Sequence, residues 1–199
     1  MKTDFIDIHT HNQEAPAGQA VINLPDSIFI NKVYPFRENC FYSVGIHPMY
    51  PGDWTEAYQT VEALARRDDV VAVGECGLDK LSPVSLEIQS EYFVKHLLLA
   101  DGLERPVIIH CVRAWDELLH IHKQHPSSQP RIVHGFRGKP QLAEQLLRAG
   151  FHLSFGPRFH ADSLRLCPAD RRHAETDDSS LTIEAVLQSH SAALKRMQS

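Results

Sequence analysis

Three ionisable side chains alternate along the segment Asp7-Ile8-His9-Thr10-His11, at the end of a short apolar run. Residues two apart on an extended chain point to the same side, so Asp7, His9 and His11 are expected to face one site. Imidazole and carboxylate groups are common ligands of zinc and similar divalent ions, and a His-x-His pair can chelate one ion with both rings. For this segment alone, a pair of surface histidines is the alternative.

Ionisable residues also stand where four other apolar segments stop. Glu75 follows the run VVAVG, His110 follows PVII, His134 follows RIV, and Asp177 closes the last predicted strand. Burial of such groups without partners costs several kcal/mol. Shared coordination of metal ions is therefore the simplest explanation for ionisable residues at these strand ends. Six ligands of these types suit two metal ions with one bridging carboxylate.

Eight short runs rich in valine and isoleucine alternate with segments of helical periodicity. This alternation is typical of βα units around a parallel sheet. The predicted strands are Phe5–His9, Ala20–Leu24, Phe41–Ile46, Val70–Glu75, Val107–His110, Arg131–His134, Phe151–Phe155 and Arg172–Asp177. In a barrel the carboxyl ends of all strands form one face, which is where active sites are found.

Five helices are predicted between and after these strands. They are Thr55–Arg67, Ser85–Gly102, Ala114–His125, Pro140–Ala149 and Thr182–Met197. Only ten residues, 10 to 19, separate the first two strands, whereas a parallel crossover needs about a dozen or more. A helix is therefore expected to be missing there. The alternative is a local hairpin of Ala20–Leu24 and Ile28–Asn31 that turns at Pro25, Asp26 and Ser27.

The composition fits a globular α/β protein. Among 199 residues, 43% are hydrophobic and 23% are charged, which excludes a disordered or collagen-like chain. We expect one domain over residues 1–199, a shortened TIM-like (β/α) barrel with at least one early helix missing, since such barrels typically have about 250 residues. No apolar run reaches the roughly 18 residues of a membrane span and no signal-peptide pattern is present, so a cytoplasmic protein without membrane association is expected.

The charge and the cysteines exclude further classes. The formal net charge is −5, so the chain has no general attraction for nucleic acid, and a bound phosphate must be held locally by a metal or a few basic residues. The cysteines have no CxxC spacing and mostly lie in apolar runs, which predicts reduced core residues rather than a zinc ribbon or a disulfide framework. They are Cys40, Cys76, Cys111 and Cys167.

Six blocks of the sequence resemble the TatD family of metal-dependent hydrolases, a branch of the amidohydrolase superfamily whose members are mostly described as deoxyribonucleases. The blocks are DIHTH (7–11), GIHP (45–48), GECGLD (74–79), QSEYFVKHLLLADGLERPVIIH (89–110), VHGFRG (133–138) and ETD (175–177). They follow the family's order and span nearly the whole chain. The resemblance implies the barrel fold and hydrolysis of an ester bond, with deoxyribonuclease-like cleavage of phosphodiesters by a metal-activated water.

The resemblance also implies a role for each candidate ligand, with two divalent ions of zinc, manganese, magnesium or cobalt. The implied ligands are His9, His11 and Asp177 for the first ion, His110 and His134 for the second, and Glu75 as the bridge between them. Glu75 and Asp177 are then catalytic residues, with Asp177 handling the proton of the attacking water. Hydrolysis of a small cyclic amide, lactone or ester is the alternative, because the superfamily uses the same chemistry on C–N and C–O bonds.

Two other residues are candidate substrate contacts. His47 lies in the GIHP block, which the family places near the substrate; a histidine that caps a turn is the alternative. Arg137 can clamp a phosphate, or it is an exposed loop charge. Asp79 is expected to orient a loop or a histidine outside the ligand set. The remaining histidines are expected to be ordinary, with His96 and His152 in packing positions.

The chain departs from the family pattern in loops that would meet the substrate. Asp178 and Ser179 follow the ETD block where the family has a small residue and a proline, and Met49 replaces a histidine of many relatives. The ligands are thus expected to be kept and the substrate surface altered. A third interpretation is a barrel that has lost catalysis and acts as an interaction module, but the complete ligand set argues against it. Any contact with DNA is expected to be independent of sequence, because no basic stripe with interleaved aromatic residues is present.

Overall fold

The computed structural model describes residues 6–195 and contains one sheet of eight parallel strands in the order β1 to β8. The strands are β1 Asp7–Thr10, β2 Ala20–Asn23, β3 Phe41–Val44, β4 Val70–Asp79, β5 Val107–Val112, β6 Arg131–Val133, β7 His152–Phe155 and β8 Arg172–Ala174. A bridge between Thr10 and Asp177 joins the first strand to the end of the last. The sheet is therefore a nearly closed barrel, which confirms the predicted fold. Phe5, where the first predicted strand begins, lies outside the described residues.

Helices pack around this barrel. They are α1 Ser27–Asn31, α2 Trp54–Leu64, α3 Leu86–Gly102, α4 Trp115–Gln124, α5 Pro140–Ala149, α6 Ala161–Leu166 and α7 Ile183–Lys195, with a 3-10 helix at Ala169–Arg171. The predicted helices correspond to α2, α3, α4, α5 and α7, and Met197 lies outside the described residues. The sequence did not predict α1 and α6, since each is too short to show a helical period. Among residues 6–195, no helix has the length and apolar character of a membrane span.

The connection between β1 and β2 consists of turns, without a helix, as predicted. The side-chain amide of Gln13 donates hydrogen bonds to the carbonyls of His11 (3.2 Å) and Asn23 (2.9 Å), which ties this connection to the end of β2. The alternative hairpin is wrong. Residues 27–31 form α1, and β2 pairs in parallel with β3 through Val21 and Phe41.

A bulge in β4 changes the direction of the strand at Glu75. The register between β4 and β5 shifts between Val73 and Cys76, so that Gly74 and Glu75 stand opposite the single β5 residue Ile108. Bulges of this kind redirect side chains. Gly74 has a φ of 132°, and a Cβ at this position would lie 2.3 Å from the carbonyl oxygen of Ile108. Only glycine therefore fits here without a shift of the backbone.

Asp7 closes the seam between the first and last strands. Its carboxylate accepts hydrogen bonds from the backbone N–H (3.1 Å) and the hydroxyl (2.7 Å) of Thr176. The N–H of Asp177 donates to the carbonyl of His9 (3.0 Å), and the N–H of His11 donates to the carbonyl of Asp177 (2.9 Å). The prediction that Asp7 faces one site with His9 and His11 is therefore wrong. The register of β1 shifts after Asp7, which breaks the period of two.

The main core lies between the sheet and the helices. It contains the large buried side chains Tyr42, Phe93, Phe136, Phe151 and Phe155. Smaller apolar side chains form a separate buried cluster: Val21, Ala72 and Ile108. All four cysteines are free, and three of them are buried, as expected for reduced core residues.

Candidate metal centre

Glu75 lies at the middle of a group of histidines at the carboxyl end of the barrel. Its side chain is 3% exposed, and its two oxygens face different imidazoles. Oε2 is 3.4 Å from Nε2 of His9 and 3.3 Å from Nε2 of His11. Oε1 is 2.7 Å from Nε2 of His134 and 2.8 Å from Nδ1 of His110. The two oxygens of one carboxylate thus contact different imidazoles of this group.

Asp177 and His47 extend the two sides of this group. Oδ1 of Asp177 is 3.8 Å from Nε2 of His9 and 3.5 Å from Nε2 of His11. On the other side, Nε2 of His47 is 3.2 Å from Oε1 of Glu75. The structure therefore brings together all six predicted ligands and also places His47 beside them. We refer to these seven residues as the histidine cluster.

The donor atoms of the cluster fit divalent cations. His9 is fully buried, and neither ring nitrogen has a hydrogen-bond partner within residues 6–195. An unpaired buried imidazole nitrogen is costly, and a cation among these ligands would satisfy it. The ligand atoms of His9, His11 and Asp177 lie within 4.8 Å of one another, as do those of His47, Glu75 and His110. Imidazole nitrogen and carboxylate oxygen are ligands that zinc and related ions accept.

Two further carboxylates contact the sides of His110 and His134 that face away from Glu75. Oδ2 of Asp79 is 3.1 Å from Nε2 of His110, and Oε1 of Glu175 is 3.6 Å from Nδ1 of His134. Both carboxylates are buried. Contacts of this kind fix the orientation of the ring and make its opposite nitrogen a better ligand. Asp79 thus contacts His110, which is one of the candidate ligands. No sequence pattern predicted a role for Glu175, although it opens the ETD block.

Buried amide side chains fix the backbone on either side of the cluster. Gln89 of α3 accepts a hydrogen bond from the N–H of Asp79 (2.7 Å) and donates one to the carbonyl of Asp79 (3.0 Å). Asn23, at the end of β2, accepts a hydrogen bond from the N–H of Glu75 (2.9 Å). Both contacts join residues distant in sequence, so no motif indicated them. They hold the two ends of the GECGLD block in place.

His96 positions the loop that carries His47. Its Nε2 accepts a hydrogen bond from the N–H of Ile46 (3.1 Å), and its Nδ1 lies 2.6 Å from the carbonyl of Tyr92. Burial lowers the pKa of His96 to about 4, so the ring is neutral and can accept the Ile46 bond. The predicted packing histidine is buried as expected, and in addition it holds the residue next to His47.

The carboxylates and imidazoles of the cluster stabilise each other's charged forms. Burial opposes ionisation of Glu75, but the surrounding histidines outweigh it and hold the pKa of Glu75 well below its usual value. Burial alone would lower the pKa of His134, yet Glu75 and Glu175 raise it well above the usual value. The contact with Glu75 also raises the pKa of His11. Without a cation, protonated imidazoles therefore balance the carboxylates, and a cation that binds takes the place of these protons.

A cavity of about 440 Å³ opens beside Asp177, between the loops that follow β6, β7 and β8. Arg137 and Arg158 line it, and both side chains are exposed. Arg137 therefore lies near the histidine cluster, where a substrate contact was predicted. Arg158 was not predicted, because nothing in its surrounding sequence marks it as a site residue.

Several known proteins are similar to this chain in sequence. A sequence profile of the family described as TatD related DNase matches residues 27–191. The 3'-5' ssDNA/RNA exonuclease TatD of Erwinia billingiae is 35% identical over 150 residues, which cover 69% of this chain and 57% of that protein. The uncharacterized metal-dependent hydrolase YcfH of Escherichia coli is 30% identical over 164 residues, which cover 77% of this chain and 61% of that protein. The chain thus spans less than two thirds of the length of these curated relatives.

A solved structure shares the fold. The TatD homolog YjjV of Escherichia coli superimposes with a TM-score of 0.73 over 96% of this chain and 95% of that chain, at 24% sequence identity. This likeness shows the barrel architecture, and the profile match over most of the sequence shows the family. The chain belongs to the TatD-related DNase family of metal-dependent hydrolases.

Proposed function

We propose that the chain is a divalent-metal-dependent phosphodiesterase that removes nucleotides from single-stranded DNA or RNA. The observation that carries the proposal is the position of Glu75. Its Oε2 faces the imidazoles of His9 and His11, and its Oε1 faces those of His110, His134 and His47, at 2.7 to 3.4 Å. The name of one relative, a 3'-5' ssDNA/RNA exonuclease, supports the substrate class, and the name of another, a metal-dependent hydrolase, supports the need for a metal.

Two divalent ions are the proposed cofactors, chosen among zinc, manganese, magnesium and cobalt. The proposed ligands are His9, His11 and Asp177 on one side, His110 and His134 on the other, and Glu75 between them. Divalent ions at such a site lower the pKa of water and neutralise charge on phosphate oxygens. The choice of ion and a cytoplasmic location stay predictions.

Asp177 is the proposed general base. Backbone hydrogen bonds to His9 and His11 fix its position, and its side chain is 19% exposed, so solvent can reach the carboxylate. Asp177 takes a proton from the attacking water as the new P–O bond forms, and returns it to the leaving oxygen as the old P–O bond breaks. His47 is the proposed contact to a substrate oxygen, because its side chain is 25% exposed beside Glu75.

The first experiment tests for metal-dependent hydrolysis. The purified chain is stripped with a chelator, each of the four ions is returned separately, and nucleotide release from a single-stranded oligonucleotide is followed. We expect at least one ion to restore activity and mass spectrometry to count two ions per chain. Glu75→Gln keeps the side-chain shape and should lower kcat more than about 100-fold. The matched control is His120→Ala, an exposed histidine of α4, which should leave kcat unchanged.

The same ion-restored chain, given cyclic amides, lactones and carboxylic esters as further substrates, separates the alternatives. A parent chain that cleaves cyclic amides, lactones or carboxylic esters, and no phosphodiester, would replace the proposed reaction with the amidohydrolase alternative. Fewer than one bound ion per chain, together with no turnover of any substrate, would favour an interaction module without catalysis. Equal losses in Glu75→Gln and His120→Ala would remove Glu75 from the proposed site.

A further inference from the structure

We propose that Arg137 and Arg158 bind the phosphate adjacent to the one that is cleaved, so that the preferred substrate carries at least two phosphates. This inference rests on the proposed function. It adds a second phosphate-binding subsite, located in the cavity beside Asp177.

The first support is the absence of protein partners for these two arginines. Within residues 6–195, eight arginines make hydrogen bonds or ion pairs: Arg37, Arg67, Arg105, Arg131, Arg148, Arg165, Arg171 and Arg172. In the same range, Arg66, Arg113, Arg137 and Arg158 make neither. Three of these four follow β5, β6 and β7 at the end of the barrel that carries the histidine cluster.

The second support is that Arg137 and Arg158 line one cavity together with Asp177. Its volume of about 440 Å³ lies in the range of small-ligand sites. Gly135 and Gly156 also line it, so two of the three loops contribute backbone without a side chain. A substrate whose scissile phosphate lies at the histidine cluster would extend into this cavity with its next nucleotide.

The third support is electrostatic. A net charge of −5 gives the chain no general attraction for polyanions, so a phosphate must be bound by local charges. Guanidinium groups present paired donors that match phosphate oxygens. Three carboxylates also line the cavity: Glu175, Asp177 and Asp178. Glu175 is fully buried and contacts Nδ1 of His134, and Asp177 is a proposed metal ligand whose charge a cation would offset. Asp178 is exposed and opposes an anion, so Arg137 and Arg158 face one exposed carboxylate there.

The test compares two substrates that differ in phosphate number. One is thymidine 5'-(p-nitrophenyl phosphate), with a single phosphodiester, and the other is a short oligothymidylate. We expect Arg137→Ala and Arg158→Ala each to raise KM for the oligonucleotide about tenfold, and the double variant about 100-fold. The kcat for both substrates and the KM for the single phosphodiester should stay within about twofold, because neither arginine touches the scissile phosphate. Asp178→Asn should lower KM for the oligonucleotide.

Two arginines serve as matched controls. Arg113→Ala removes an unpaired exposed arginine at the same end of the barrel but outside the cavity, and Arg66→Ala removes one that follows α2. Both change the net charge by the same amount as the test variants. Neither should raise KM for the oligonucleotide more than about twofold, since only long-range attraction is lost.

Several outcomes would overturn the inference. They are an unchanged oligonucleotide KM in the double variant, an equal loss on both substrates, or an Arg66→Ala effect as large as that of Arg137→Ala. A binding assay separates this inference from the proposed reaction. If the parent chain hydrolyses neither substrate, fluorescence anisotropy with a labelled phosphorothioate oligonucleotide still applies. Weaker binding by the double variant alone would then support the subsite while the proposed reaction fails, and equal binding by all variants would contradict the subsite.

Discussion

Histidines gather at both ends of the barrel. At the carboxyl end, carboxylates surround them, and contact with Glu75 raises the pKa of His11. At the amino end, His152 of β7 and His173 of β8 stack with an interplanar angle of 16°, and their Nδ1 and Nε2 atoms are 3.0 Å apart. This second pair lines a cavity of about 150 Å³ with apolar side chains such as Val21 and Ile108. Burial lowers the pKa of both rings, that of His173 to about 4.

The difference between the two ends comes from the neighbours of the histidines. Within residues 6–195, no carboxylate lies within ion-pair distance of His152 or His173. This pair is therefore neutral at ordinary pH, and each ring satisfies part of the other's hydrogen bonding. At the carboxyl end, Glu75 and Asp177 supply the negative charge that a bound cation would need. The 13 histidines of the chain thus indicate a metal site only where they meet carboxylates.

The largest expected effect is the loss of turnover when the carboxyl end alone is altered. Asp177→Asn removes the proposed general base, and kcat should fall about 100- to 10,000-fold. Asp177 has a φ of 54°, a conformation that asparagine tolerates, so the fold should be kept. His152→Ala at the amino end should leave kcat within about twofold while it lowers Tm. Steady-state kinetics and thermal unfolding of both variants measure the contrast, and unfolding of Asp177→Asn would assign that residue a structural role.

A smaller effect is expected when a carboxylate behind the cluster loses its charge. Asp79→Asn keeps the shape of the side chain but weakens its contact with Nε2 of His110. Affinity for the second ion should fall about 10- to 100-fold, measured by competition with a chelator of known affinity. Asp68→Asn makes the same change in charge at the exposed rim of the amino end and should leave metal affinity unchanged. Equal affinities in all three proteins would mean that Asp79 does not act on the ion through His110.

Much of the fold and of the cluster could be predicted from the sequence. Apolar runs marked all eight strands, and an ionisable residue at the end of a run marked Glu75, His110 and His134. In a parallel barrel the carboxyl ends of the strands lie on one face. The position of a residue at a strand end was therefore enough to predict most of the site. The same reasoning failed for Asp7, because a register shift in β1 alters which side chains share a face.

Other parts of the site leave no local pattern. Gln89 contacts Asp79 from ten residues away, and His96 contacts Ile46 from fifty residues away. These bonds depend on how α3 packs against the barrel, and periodicity does not carry that information. Arg158 is likewise marked only by the cavity that it lines.

The smallest expected effect concerns the pH dependence of stability at the amino end. The pKa of His173 is about 4 in the folded protein, against about 6.5 in an unfolded chain. Between these values the unfolded chain binds more protons, so the free energy of unfolding should decrease as pH falls from 6.5 to 4. His173→Phe keeps a ring in place and removes this titration. The slope of unfolding free energy against pH should decrease by up to about 1.4 kcal/mol per pH unit.

Urea titrations at several pH values, with chelator present so that the histidine cluster contributes equally, measure these slopes. His96 has a folded pKa of about 4 and contributes the same share to both proteins. The control is His120→Phe on the exposed side of α4, which should keep the parental slope. If His173→Phe also kept it, the ring at position 173 would titrate alike in the folded and unfolded chains. The amino-end pair would then be accessible to protons in the folded protein, and the contrast between the two ends of the barrel would rest on metal binding alone.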